Sequence, residues 1–265
     1  MALLRSLKAI ASSDAVRPIL LIAIILIGWD LGVRIFRIPP YLIPSPTLVV
    51  MELVNQWPML LRETLPTFYA TIGGFCLSAL FGIPVAMMIA GSRTVESYLY
   101  PILVFSQSVP KIAVAPLFVV WFGFGILPKV ISAFLLGFFP VVVATVIGLK
   151  SIDPDMLDLA RSMRAGPLRT FLRVRLPYAL PHIFGGLKVS ITLAVVGAVV
   201  GEFVGSNSGI GYVLQVANGN FDLPLMFAAL FILSMMGVIL FMLLDLLEHF
   251  SIPWHASRRG EFAAP

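Results

Sequence analysis

Asp153-Pro154-Asp155-Met156-Leu157-Asp158-Leu159-Ala160-Arg161-Ser162-Met163-Arg164-Ala165-Gly166-Pro167 opens the one long polar interruption in an otherwise apolar chain, and it continues to Pro181 through Val174-Arg175-Leu176-Pro177. Asp153 is a helix N-cap, because its carboxylate can accept from an N–H of the first turn that has no partner within the helix. Pro154 suits the first helical position, where its missing N–H costs nothing. Asp155 and Asp158 fall toward the positive end of the helix dipole, Arg161 and Arg164 toward the negative end. Met156, Leu157, Ala160 and Met163 should line one face. Gly166-Pro167 supplies a stop, so Arg164 should still be helical and Gly166 should be the left-handed residue after the last turn. The reading is a short, separately capped amphipathic helix between two apolar spans, suited to lying on a bilayer or docking into another protein.

Outward from this stretch, composition sets the class. Of 265 residues, 59% are hydrophobic and 12% charged, with a mean hydropathy of +1.01, far outside the range of soluble domains. Spans need about 20 apolar residues each. The reading is all-α: a polytopic membrane protein in a single domain over 1–265 with six transmembrane helices, at about 18–38, 66–90, 98–121, 129–149, 182–204 and 223–250, and a polar loop at 150–181. The first run is too long for a signal peptide and reads as an uncleaved anchor. Within it Trp29 is read as an interfacial anchor and Asp30 as a helix-packing or interface residue.

Pro39-Pro40-Tyr41-Leu42-Ile43-Pro44-Ser45-Pro46 is a turn, and Thr47 to Trp57 a surface helix. Small residues in the second span, Gly73, Gly74, Ser78, Ala79 and Gly82, permit close helix contact. The third span is expected to enter as a helix to about Gln107, break near Val109-Pro110 and cross to about Trp121. Gly205 to Asp222 reads as a polar outer loop.

Positive charge orients the chain. With the N-terminus inside, the inner segments hold Arg5, Lys8, Arg17, Arg93, Lys150, Arg161, Arg164, Arg169, Arg173, Arg175, Lys188, Arg258 and Arg259, against Arg34, Arg37, Arg62 and Lys129 outside. Thirteen against four places both termini and the 150–181 loop in the cytoplasm, with Pro253-Trp254-His255 at the membrane surface. A pI near 9.6 therefore follows from orientation and is no argument for nucleic acid.

Several chemistries are excluded. No G-x-x-x-x-G-K-[ST] loop occurs, so ATP hydrolysis by that route needs another subunit. No H-E-x-x-H occurs and His182, His249 and His255 are scattered, which suggests no metal site. Gly205-Ser206-Asn207-Ser208-Gly209 has Asn where a nucleophile elbow needs Ser. The lone Cys76 lies in a span. Gly197, Gly201 and Gly205 share a helix face, fit for intrachain packing, or for a subunit interface or a pore-lining face that must slide. Lys111 and Glu202 are the charges expected inside the membrane, with Gln107 nearby; each either lines a pathway or is held structurally.

The Asp158-Leu159-Ala160 run, its spacing to Val174-Arg175-Leu176-Pro177, and Val109-Pro110-Lys111, Ala115-Pro116-Leu117, Trp121-Phe122-Gly123 and Gly201-Glu202-Phe203 resemble ABC importer permeases of the nitrate/sulfonate/taurine branch. The first two carry that family's Glu-Ala-Ala (EAA) motif, with Leu159 in place of its first Ala and Arg164 in place of its Gly. The resemblance implies a type I importer permease without enzymatic activity, in the bacterial inner (plasma) membrane. It implies a coupling helix in which Asp155, Asp158, Leu159, Ala160, Met163 and Arg164 serve ATPase contact, with Asp158, Ala160, Met163 and Arg164 facing the ATPase. Gly166 would end that helix, and Val174, Leu176 and Pro177 would seat the loop. Implied partners are two ABC ATPase subunits, which would carry ATP and Mg, an extracytoplasmic solute-binding protein and a second permease copy. A small sulfonate-, nitrate- or taurine-like solute, or a vitamin precursor, would be the cargo. An ATP-independent secondary transporter or channel is the alternative class, although only the third span is clearly interrupted.

Overall fold

A computed structural model describes residues 16–252, in which every regular element is helical. The N-terminal cations Arg5 and Lys8 and the C-terminal Pro253–His255, Arg258 and Arg259 lie outside the described residues. The helices are α1 Val16–Ile35, α2 Pro46–Asn55, α3 Trp57–Gly91, α4 Arg93–Ser108, α5 Lys111–Phe122, α6 Ile126–Lys150, α7 Pro154–Ser162, α8 Pro167–Gly205, α9 Ile210–Gly219 and α10 Leu223–Ser251. Four of them (α3, α6, α8 and α10) are long and apolar enough to cross a membrane, and the α4–α5 pair adds a fifth if it counts as one broken span. Helix α1, at 20 residues, occupies the first expected span and has the length a bilayer core requires.

Four boundaries differ from the sequence reading. Helix α3 begins at Trp57, nine residues before the expected start of the second span. The third segment does break at Val109-Pro110, but α4 and α5 meet at 92°, so it is no straight crossing. The stretch 167–181, read as loop because of its prolines and arginines, is helical and belongs to the 39-residue α8. The supposed outer loop 205–222 contains α9.

The described residues group into two compact units, 16–62 with 213–231, and 63–212 with 232–252. In the first, Asp30 pairs with Arg34 at 2.7 Å and accepts from Thr47 at 3.3 Å, while Trp29 packs on Phe227 at 5.6 Å between ring centroids. Asp30 thus joins the end of α1 to the start of α2, as a packing residue should.

In the second unit, α6 and α8 form the central pair. Ile191 and Val195 of α8 pack with Met236, Leu240 and Leu244 of α10, and with Phe68, Ile72 and Phe75 of α3. Between spans lipid is as apolar as leucine, so close packing rather than water exclusion holds the helices together. Small residues decide it: a Cβ at Gly197 would lie 2.6 Å from Ala133 Cα, and one at Gly201 would lie 2.7 Å from Lys129 Cα. Both glycines therefore serve contact within the chain. Prolines lie inside α3, α4, α5, α6 and α8, as membrane helices tolerate where packing around the break can re-satisfy the freed backbone groups.

Candidate functional site

Two places bear on the sequence-predicted site residues first: the α7 loop and a buried cluster around Glu202. The α7 loop begins as the sequence demands. Asp153 caps it, its Oδ1 accepting from the Asp155 N–H at 2.9 Å, and Pro154 takes the first helical position. Asp158 and Arg161 pair at 2.8 Å across one turn.

The end of α7 corrects the sequence reading. Arg164, not Gly166, is left-handed, with φ 52° at Arg164 and an ordinary φ of −65° at Gly166. The Ala165 N–H donates to the Ala160 carbonyl at 3.0 Å and the Arg164 N–H to the Arg161 carbonyl at 2.9 Å. This pair of bonds is the Schellman stop, whose left-handed position Gly normally fills. The helix ends on its hydrogen-bond geometry, and Arg164 takes that position at the cost of a Cβ clash of roughly 1 kcal/mol. The motif's Gly therefore falls on the one residue of the loop that needs a positive φ. Gly166 instead precedes Pro167, the first residue of α8, in extended backbone.

The faces of α7 also differ from expectation. Ala160 is only 7% exposed and Leu157 half-buried, so Ala160 turns inward and offers a partner almost nothing. Met156, Leu159 and Met163 point outward, Met163 at 74% exposure, and Asp155, Asp158 and Arg164 are exposed beside them. The outer face is thus a methionine–leucine patch edged by charge. Met side chains are flexible and polarizable, which suits a surface that must fit a partner. Between α7 and the start of α8 lies a hollow of about 420 Å³ that Arg161 and Arg175 both line.

Helix α8 carries a π-turn at Phe171–Arg175, where the Leu176 N–H donates to the Phe171 carbonyl five residues back. Pro177 explains it: a proline has no N–H for the Arg173 carbonyl, and its ring would collide with that oxygen in a regular turn. Val174, Leu176 and Pro177 are half-buried there, packed into the start of α8.

The second cluster surrounds Glu202, which is 0% exposed. Thr67 of α3 donates to it at 2.9 Å and the Gly211 N–H at 2.7 Å, and Lys129 of α6 stands 3.5 Å away. Lys129 Nζ also donates to the Ser208 carbonyl at 2.7 Å. The first N–H groups at α9 find no local cap. Gly209 donates to Glu63 at 2.8 Å, Ile210 to Thr67 Oγ1 at 2.8 Å and Gly211 to Glu202. A helix N-terminus carries partial positive charge, so two carboxylates from other helices are well placed to hold it. Glu202 belongs to this network and is fully buried in it. Lys129, its partner, is 3% exposed, whereas the sequence reading places it on the outer side, since nothing in Leu127-Pro128-Lys129 signals burial.

Lys111 lies apart, at the bend between α4 and α5, with its Nζ 5.9 Å from the centroid of the Phe139 ring. Phe139 lines an apolar groove of about 610 Å³ between α6 and α8, with Pro140, Val143, Ala144, Gly185 and Val189. Gln107 is exposed one turn before the bend. The structure thus separates Lys111 and Gln107 from Glu202.

Residues 79–251 match the family described as binding-protein-dependent transport system inner membrane component. The chain belongs to this family. A probable ABC transporter permease of Haemophilus influenzae is 39% identical over 88% of this chain and 95% of its own. The formylaminopyrimidine transport permease ThiX of Halalkalibacterium halodurans is 38% identical, covering 92% and 97%. The riboflavin transport system permease RibX of Chloroflexus aurantiacus is 36% identical, covering 88% of each. Among solved structures, the inward-facing MetNI methionine ABC transporter aligns with a TM-score of 0.60 over 75% of this chain and 97% of that one, at 20% identity. That likeness shows a shared fold, the type I importer permease. The chain is the permease subunit of an ABC importer.

Proposed function

We propose that this permease couples to two ATPase subunits through the outer face of α7 and passes a small heteroaromatic solute, delivered by a solute-binding protein, between two copies of itself. The observation that carries it is the surface of α7: a well-capped helix outside the spans that exposes Met156, Leu159 and Met163. In water such a patch is a partner site. Asp155, Asp158 and Arg164 would fix the orientation of the ATPase, while Ala160, Val174, Leu176 and Pro177 seat α7 against α8. No nucleotide or metal chemistry is assigned to this chain; ATP and Mg belong to the ATPase.

Both termini and the α7 loop are cytoplasmic in this reading, as the positive charges favour, and the membrane is the bacterial inner membrane. Closure of the ATPases would move both α7 helices and rock the bundles about a central cavity. The groove between α6 and α8 would line that cavity, with Lys111 and Gln107 at the interrupted third span. Broken helices are where transporters commonly place solute contacts.

The heteroaromatic assignment follows relatives named for formylaminopyrimidine and riboflavin, and it fits an apolar groove with an aromatic ring under a cation. A sulfonate is the second reading, favoured by the nitrate/sulfonate/taurine resemblance and by the positive charge of Lys111. The test is reconstitution in proteoliposomes with the ATPase and the binding protein. Uptake should require ATP and both partners, and a pyrimidine should compete where taurine does not. Uptake without ATP would make the chain a secondary transporter or channel.

A further inference from the structure

A further polar group, apart from α7 and from Glu202, joins α8 to α10. Lys188 of α8 pairs with both Asp245 and Glu248 of α10, and its Nζ lies 5.6 Å from the centroid of the Phe241 ring. One ammonium faces two carboxylates, so this trio carries one uncompensated negative charge. Lys188 is 18% exposed and Glu248 20%, but Asp245 is 62% exposed. The two carboxylates share the one ammonium, and Asp245 is the one that an outside cation can reach.

Depth makes this unusual. Helix α10 has 29 residues, about 43 Å at 1.5 Å per residue, against a hydrocarbon core of about 30 Å. Centred in the bilayer, it projects about four residues at each end. Glu248 then lies at the boundary of the headgroups, and Asp245 just inside it. A lysine at that depth can extend to water; an aspartate, with one methylene, cannot. A carboxylate held there calls for a cation.

Next to Asp245, and bounded by it, a groove of about 660 Å³ runs between α8 and α10 along Thr192, Val195, Gly237, Val238 and Phe241. That is within the size range of small-molecule sites. Gly237 opens it, since a Cβ there would meet no atom within 4 Å. The combination is an apolar trough ending at an anionic group at headgroup depth.

We propose that this groove binds a phospholipid with a primary ammonium headgroup, its acyl chain in the trough and its ammonium on Asp245. A primary ammonium supplies both charge and N–H donors, as a lysine does. A quaternary choline supplies charge without donors, and a glycerol headgroup leaves the lipid anionic and repelled. The site is independent of the transported solute and of the ATPase.

The test is native mass spectrometry of the purified full chain, released from bilayers holding equal amounts of phosphatidylethanolamine, phosphatidylcholine and phosphatidylglycerol. Phosphatidylethanolamine should be retained about fivefold over phosphatidylglycerol, the factor that ~1 kcal/mol of interfacial charge attraction gives. Asp245→Asn should abolish the preference and Asp245→Glu should keep it. Gly237→Leu should lower retention of all three lipids by filling the trough. If Asp245→Asn does not fold, Asp245→Glu and Gly237→Leu still decide. Equal retention of the three lipids by the unaltered chain overturns the proposal. So does unchanged retention in Gly237→Leu, or disulfide cross-linking of Val238→Cys between copies, which would seat a second permease on this face.

Discussion

Lys129 Nζ stands 3.5 Å from Glu202 Oε1, with the two side chains 4% and 0% exposed. The pair ties α6 to α8 at the end where α9 begins. Its cation also holds the Ser208 carbonyl, and its anion holds the Gly211 N–H. Removing one partner of a buried pair strands the other charge, which typically costs 3–5 kcal/mol or about that order.

Lys129→Met should therefore destabilise the purified protein by about 3 kcal/mol or more. Glu202→Gln also strands a charge, the Lys129 ammonium, but should cost less, because Lys129 keeps the Ser208 carbonyl and an amide oxygen still accepts from Thr67 and from the Gly211 N–H. Thermal unfolding in one detergent ranks the two. In proteoliposomes, uptake per folded molecule should be largely kept in Glu202→Gln. A large loss of uptake with full stability would return Glu202 to the pathway.

Gly209 has φ 108°, and a Cβ there would lie 2.0 Å from Glu202 Oε1. Gly209→Ala should consequently disturb both the backbone and the cluster, costing at least as much as Lys129→Met. Yield of monodisperse protein in detergent is the readout. A variant that behaves like the parent would mean that the 206–209 turn is not fixed by Glu202.

Arg164→Gly should relieve the left-handed strain and stabilise the α7 turn by about 1 kcal/mol. Hydrogen exchange at the Ala165 amide, which closes the Schellman stop, should slow by roughly fivefold. Gly166→Val should matter less, since Gly166 already has φ −65°. If Arg164→Gly slows exchange yet weakens ATPase copurification, the guanidinium is a contact of the ATPase.

Met163→Asp should abolish ATPase copurification while leaving the membrane spans inserted, because it places a charge in the exposed apolar patch. Asp158→Arg should act similarly, as it reverses charge in the helix and removes the 2.8 Å contact with Arg161. Copurification on a tagged ATPase tests both. Undiminished binding by Met163→Asp would move the docking site off α7.

Legibility in the sequence followed the range of the forces involved. Asp153 and Pro154 act within one turn, and Val109-Pro110 breaks a helix by its own geometry, so each could be read from its neighbours. The helical state of 167–181 could not, because Pro177 and Pro181 argue against a helix locally and only the π-turn and membrane packing reconcile them. Helix α9 was hidden for the opposite reason: its caps are Glu63, Thr67 and Glu202, 146, 143 and 9 residues away along the chain. Arg164 misled because Gly166 offers the stronger stop on composition, while the hydrogen bonds of Ala160 and Arg161 fix the end two residues earlier. Ala160 reads as one more apolar residue, and only the fold shows that its small size lets α7 lie close.

Helix α8 begins beside the α7 patch and ends beyond Glu202. At 39 residues it is about 58 Å of continuous helix, relaxed only at the π-turn near its first end. A tilt of about five degrees at one end of such a rod carries the other about 5 Å. The two ends then cannot answer to separate equilibria. Whatever factor a ligand or mutation at the Glu202 end imposes on the binding of a partner at α7, that partner must impose on the Glu202 end in return.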